Sequence, residues 1–334
     1  MGNDTLQAKA QLQLSRRQFL EIALAGVGVT GGAFAYQRLN QKSVSVKIPN
    51  IASSDLPQDS NNPMAVLRDF DYGTVKQEKG RTIREYRIVA ENSTIALSSA
   101  VNFNTWNFNN RIPGPTLRAT QGDRIRVVFY NNGGHSHSMH FHGIHPAEAD
   151  GTRPVRHGNA TIYEFDAEPF GVQLYHCHTE PVTRHISKGL YGMLIIDPPK
   201  PRPPADEIVL VMGGYDTNDD NKNEFYAFNG QPNYYKTHPI PIYQNQLVRL
   251  YILNMIEFDP AATFHLHANF FQVYRTGRTL APSEETDVIT MGTAERHILE
   301  FAYKYPGKYM FHPHQDAIAQ AGCMGLFEVI PATA

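Results

Sequence analysis

From residue 65 to the end, the chain alternates short apolar-polar runs with turn residues such as Gly, Pro, Asn and Asp. A period of two places every second side chain on one face of a strand. Residues 123–131 and 246–254 carry this pattern, and 161–168, 172–178, 207–212, 295–301 and 324–330 are predicted as further strands. No segment carries a sustained helical stripe. The pattern predicts an all-β chain of sandwich or barrel domains.

Five prolines fall within residues 197–205, a stretch too stiff and donor-poor for a sheet interior. It reads as a linker between domains at 65–197 and 205–334. The two halves also repeat. His140-Phe-His142 matches His265-Leu-His267 at an offset of 125, and His176-Cys-His178 matches His312-Pro-His314 at an offset of 136. Ile125-Arg-Val127 matches Val248-Arg-Leu250 at an offset of 123. Matches in one order at nearly one spacing imply duplication.

The N-terminus reads as an address. Arg16-Arg17 precedes a weakly apolar run over 21–35 that ends in Ala33-Phe34-Ala35, a pattern suited to cleavage before Tyr36. This resembles a twin-arginine export signal, with an uncleaved membrane anchor as the alternative. Residues 36–64 read as a polar linker. The expectation is an exported protein, periplasmic or extracellular, free of the membrane once the signal is cleaved.

Composition narrows the chemistry. Hydrophobic residues make up 41% and charged residues 19%, which suits packed cores, and a net charge of −2 gives no global case for nucleic-acid binding. Two cysteines exclude a disulfide scaffold, whereas fifteen histidines demand a reason. Eight of these form the four His-x-His pairs that match between the halves. On a strand, residues two apart face the same way with Cα atoms about 6.5 Å apart, so paired imidazoles can converge on metal. Cys177 faces opposite to His176 and His178, offering a thiolate to one site and imidazoles to another. One Cys with two His and a weak axial ligand is the blue-copper arrangement, and His137 and His185 are placed to complete it.

The stretch Trp106-Asn-Phe-Asn-Asn-Arg-Ile-Pro-Gly-Pro115, together with His137-Ser-Met-His-Phe-His-Gly143, Ala149-Asp-Gly151 and Tyr175-His-Cys-His178, resembles the multicopper oxidases. Tyr309-Met-Phe-His-Pro-His-Gln315 with Gly322-Cys-Met-Gly325 resembles their two-domain subgroup. The resemblance implies two cupredoxin-like Greek-key domains, closed into a homotrimer by heterologous contacts. It implies four coppers per chain. Type 1 copper falls to His137, Cys177 and His185. A trinuclear cluster, type 2 plus a type 3 pair, falls to His140, His142, His176, His178, His265, His267, His312 and His314. The family's axial position falls on Leu190, a non-ligand, with Met193 as an alternative. Asp150 matches the family's acidic residue near the cluster and is the expected proton relay, with Asp316 a weaker carboxylate candidate. Pro313 and Ala262 replace Cys177 and His137 in the second half, so electron uptake is expected in the first domain only.

The implied activity is laccase-like. A small reducing substrate or metal ion gives single electrons, Cys177 passes them through His176 and His178, and dioxygen leaves as water. Phenols, aromatic amines, cuprous or manganous ions and small redox proteins remain open as donors. Residues 181–188 are expected to border the uptake site, with Arg184 and Lys188 lending positive charge. The nearest alternative is a copper nitrite reductase, whose pattern typically has Asp where His140 stands and has no need of His178. A metal-storage protein would have no use for Cys177 between two imidazoles.

Overall fold

The computed structural model describes residues 62–331. The predicted signal at 1–35 lies outside the described residues, as does nearly all of the predicted linker at 36–64. Among the described residues no helix is long and apolar enough to cross a membrane.

Each half is a pair of facing sheets. In the first, strands Thr74–Glu78, Arg81–Ala96, Arg124–Asn131 and Ala160–Asp166 lie side by side, with Asn102–Phe108 also paired to Arg81–Ala96. The facing sheet runs Phe70–Asp71, Thr116–Thr120, Tyr191–Asp197, Gly171–His176 and His140–Phe141. In the second half, one sheet centres on Asp206–Tyr215, Val248–Met255 and Arg296–Phe301. The other orders Ile240–Tyr243, Gly325–Ile330, Gly307–His312, Ala261–Leu266 and Val288–Gly292. The duplication is visible in the pairing. Arg81–Ala96 runs parallel to Arg124–Asn131 as Asp206–Tyr215 does to Val248–Met255, and each second strand then pairs antiparallel with the next.

Arg124–Asn131 shows why the alternation works. Ile125, Val127 and Phe129 are fully buried in the first core, while Arg124 and Arg126 point outward to Glu164 and Asp166 on the neighbouring strand. The strand predicted at 246–254 is different. Val248–Met255 is buried along its whole length. Leu250 and Ile252 face the second domain's core, and Tyr251, Leu253 and Met255 face a third apolar layer. That layer joins the domains: Val172, Leu174, Met193 and Ile195 of the first pack against Val209, Val211, Tyr251 and Ile298 of the second. A sheet covered on both faces loses its polar alternation.

Charge also crosses this junction. Arg118 binds both Asp197 and Glu207 through paired hydrogen bonds, and Arg249 continues the network to Glu207 and Glu300. The proline-rich linker is held down, with Pro203 accepting from Arg249 and Arg202 reaching the carbonyls of Gly277 and Thr279. Residues 62–68 precede the first strand of the first domain yet pack on the second: Leu67 joins its core, Arg68 pairs with Asp206, and Tyr235 donates to the Pro63 carbonyl.

Candidate metal centre

The strand Gly171–His176 is buried at every position and runs out into Cys177, whose N–H donates to the Leu190 carbonyl at 3.0 Å. This fixes the thiol inside the first core. His137 comes from the segment before the short strand His140–Phe141 and is held by reciprocal backbone hydrogen bonds with Val155. His185 comes from the helix Val182–Ser187, which starts after Pro181 and is followed by Lys188 and Gly189. Gly189 is needed there: its φ is +112°, and a Cβ would strike the Ile112 side chain at 2.4 Å.

These segments bring three donors together. His137 Nδ1 and His185 Nδ1 are 3.1 Å apart, and Cys177 Sγ lies 3.9 Å from the first and 3.2 Å from the second. All three side chains are buried. Burial holds His137 down to about 3 and His185 to about 4, and it raises the Cys177 thiol. Both imidazoles therefore stay neutral with lone pairs free. One soft sulfur and two imidazole nitrogens, with no carboxylate among them, form a donor set that fits copper. Leu190 belongs to the same core cluster as Cys177. Met193 instead lies in the apolar layer between the domains.

Trp106 covers this group. Its ring centroid lies 4.8 Å from that of His185, 5.7 Å from His137 and 4.6 Å from His135. The sequence marked Trp106 only as part of a motif.

On the other side of Cys177 stands a histidine quartet. The ring of His140 lies 5.1 Å from those of His142, His176 and His178, and His142 Nε2 is 3.3 Å from His176 Nε2. His140 pairs directly with His176 across adjacent strands. Nδ1 of His140 is held by the Asp150 carbonyl at 2.9 Å, and Nδ1 of His176 by the Cys177 carbonyl at 2.9 Å. Fixing Nδ1 leaves Nε2 as the free donor. Burial lowers His142 to about 3 and His176 to about 4.

The second domain repeats this frame. His265 pairs with His312 across adjacent strands, and His267 Nε2 lies 2.9 Å from His312 Nε2. His314 completes the group, its ring 5.2 Å from that of His265. Nδ1 of His265 meets the Asp287 carbonyl at 2.8 Å, and Nδ1 of His312 the Pro313 carbonyl at 2.7 Å. The N–H of His178 donates to Ser138 Oγ as that of His314 donates to Thr263 Oγ1. Among the described residues, no hydrogen bond or ring contact joins the two quartets.

The sulfur-centred group has no twin. Ala262 and Pro313 stand where His137 and Cys177 do. Leu190 N–H donates to the His185 carbonyl as Cys323 N–H does to that of Ile318, so Ile318 and Cys323 take the places of His185 and Leu190.

Asp150 sits where the sequence placed it, with Oδ1 at 3.1 Å from His140 Nδ1 and its side chain 38% exposed. His145, which the sequence gave no special role, lies 3.8 Å from the same oxygen. The Asp316 carboxylate accepts from Gln320 on its own helix, while Nδ1 of His265 meets the backbone carbonyl of Asp287. The positive charge expected from Arg184 and Lys188 is also not free, because both meet Asp219 of the second domain.

Fold and site together define a copper redox protein made of two sandwich domains. Sequence profiles of the multicopper oxidase family match residues 89–201 and 201–333. A solved structure described as a multicopper oxidase is 45% identical, with a TM-score of 0.80, over 84% of this chain and 100% of that one. The blue copper oxidase from Nitrosomonas europaea is 25% identical with a TM-score of 0.67, covering 74% of this chain and 86% of that chain. The copper-containing nitrite reductase of Neisseria meningitidis serogroup B is 25% identical over 78% of this chain and 70% of its own length. This chain belongs to the multicopper oxidase family, and its domains are cupredoxin-like.

Proposed function

We propose that this protein is a laccase-like oxidase that takes single electrons from a phenol, an aromatic amine or a metal ion and passes them to dioxygen, releasing water. His137, Cys177 and His185 would hold type 1 copper. The two quartets would hold the type 2 ion and the type 3 pair, giving four coppers per chain. Copper, when bound, supplies the one-electron steps and the reduction of dioxygen.

One observation carries this reading. Cys177 projects its sulfur into the His137–His185 group while its chain neighbours His176 and His178 stand in the quartet. Donor side and acceptor side are thus joined by a few covalent bonds. The buried imidazoles hold their lone pairs free of protons down to acid pH. The Asp150 carboxylate, part-exposed with Oδ1 3.1 Å from His140 Nδ1, stands between that imidazole and water as the proposed proton relay.

His140, His142 and His178 of the first quartet and His265, His267 and His312 of the second are part-exposed, His314 is exposed, and exposed apolar residues follow both in the chain: Ile144 is 62% and Phe270 60% exposed. This supports a head-to-tail homotrimer in which the first quartet of one chain meets the second quartet of the next. Export through the N-terminal signal belongs to the same proposal.

The nitrite reductase reading is favoured by the Neisseria relative. Histidine at both 140 and 178 favours dioxygen. The test is copper per chain in dialysed, copper-loaded protein, with oxygen and nitrite consumption measured side by side. Four coppers with oxygen uptake is the expected result. Two coppers with nitrite turnover would establish the alternative.

A further inference from the structure

The helix that carries His185 has six residues, too few to hold its place unaided. A loop of the second domain reaches it. Asp216, only 1% exposed, follows the strand Asp206–Tyr215 and accepts from the backbone N–H groups of Asn218, Asp219, Asp220 and Asn221. Glu224 closes the loop by accepting from Thr217 N–H at 2.7 Å and Thr217 Oγ1 at 2.8 Å. Asn223 ties its base to the Glu257 carbonyl and to Asp259. The loop is therefore shaped by its own hydrogen bonds.

The charged partners of that loop flank His185. Arg184 meets Asp216 at 3.7 Å and forms a close ion pair with Asp219, and Lys188 reaches Asp219 at 3.7 Å. Lys188 also lies over the Phe103 ring at 4.3 Å, and its carbonyl accepts from Trp106 N–H. Ile186 is buried in the layer between the domains. Charges on both sides of His185 thus end on one rigid acidic turn of the other domain.

We propose that the 216–224 turn is a latch on the His185 helix, with Asp219 a positioning residue for the copper group of the first domain. The proposal rests on the type 1 reading of His137, Cys177 and His185. The second domain, which lacks such a group of its own, would thereby fix the geometry of the one next door.

The test compares Asp219→Asn with Asp220→Asn. Both remove one carboxylate from the same turn, but no ion pair joins Asp220 to Arg184 or Lys188. In metal-free protein, Asp219→Asn should speed amide exchange over 182–188 about threefold, the factor that a partly exposed ion pair supplies, while Asp220→Asn leaves it unchanged. In copper-loaded protein, Asp219→Asn should shift the blue absorption band and the type 1 potential without loss of copper, and Asp219→Glu should restore both. Equal behaviour of the two Asn variants, or no change in exchange, band or potential with Asp219→Asn, would overturn the latch. A wild-type protein that takes up copper without any blue band would overturn the functional reading itself. The metal-free exchange comparison would still report on the latch as a mechanical contact.

Discussion

His137 is fully buried, and Gly133 packs so close to its Nε2 edge that a Cβ there would lie 2.6 Å away. The ring thus turns Nδ1 toward Cys177. Replacing the thiol by a weaker ligand removes the soft donor. Cys177→Ser should abolish the blue colour and lower oxygen uptake by more than about 100-fold, with assembly unchanged by sedimentation. Trp106 is the only tryptophan in the chain, and its ring touches both imidazoles of this group. Its fluorescence should be quenched as copper loads, and the quenching should be lost in Cys177→Ser. Asp150→Asn keeps the shape near His140 but removes a group that can carry a proton. Turnover should fall by about 100-fold or more at constant copper content, a loss of the size general acid–base groups supply. The gathering of these histidines around Cys177 was legible because His-x-His pairs and a Cys between two His are rare combinations. Asp287 and His145 were not, since their roles come from where loops return and not from spacing.

Elements tell the same story in the backbone. The turn after Asp150 passes so close to the His140 strand that a Cβ on Gly151, at φ +73°, would sit 2.1 Å from the Met139 carbonyl oxygen. Gly151→Ala should therefore destabilise the protein by about 1–3 kcal/mol, read as a drop in thermal midpoint, and weaken copper retention at the first quartet. Strand existence was readable from alternation at Arg124–Asn131, where one face meets solvent. It was harder to read at Val248–Met255, because a strand buried between two apolar layers has no polar face to mark its period. Helix Val182–Ser187 left no stripe at all in the sequence, being too short to complete one. The tie of residues 62–68 to the second domain was equally silent, since long-range packing of one leucine and one arginine has no local signature.

For the whole molecule, burial makes acid the weak side of the stability profile. His137 and His142 are held to about 3, and His176, His185 and His297 to about 4. In the unfolded chain these groups take protons near pH 6.5. Their contribution is complete above that value and is lost as pH falls through it toward 4 and then 3. The metal-free protein should lose several kcal/mol, in order of magnitude, across this window, seen as a falling thermal midpoint between pH 7 and 4. Copper-loaded protein should start from a higher midpoint, and chelation should lower it.

The separation of the two quartets within one chain has a genetic consequence. A subunit with Cys177→Ser still brings a sound second domain, and one with His312→Ala still brings a sound first domain. Each variant alone should be inert. In the proposed head-to-tail ring, the two produced together in one cell should form mixed assemblies in which some junctions are whole, and the proposed oxidase activity should return. Two broken copies of the same gene would thus complement each other, while a variant carrying both lesions would rescue nothing.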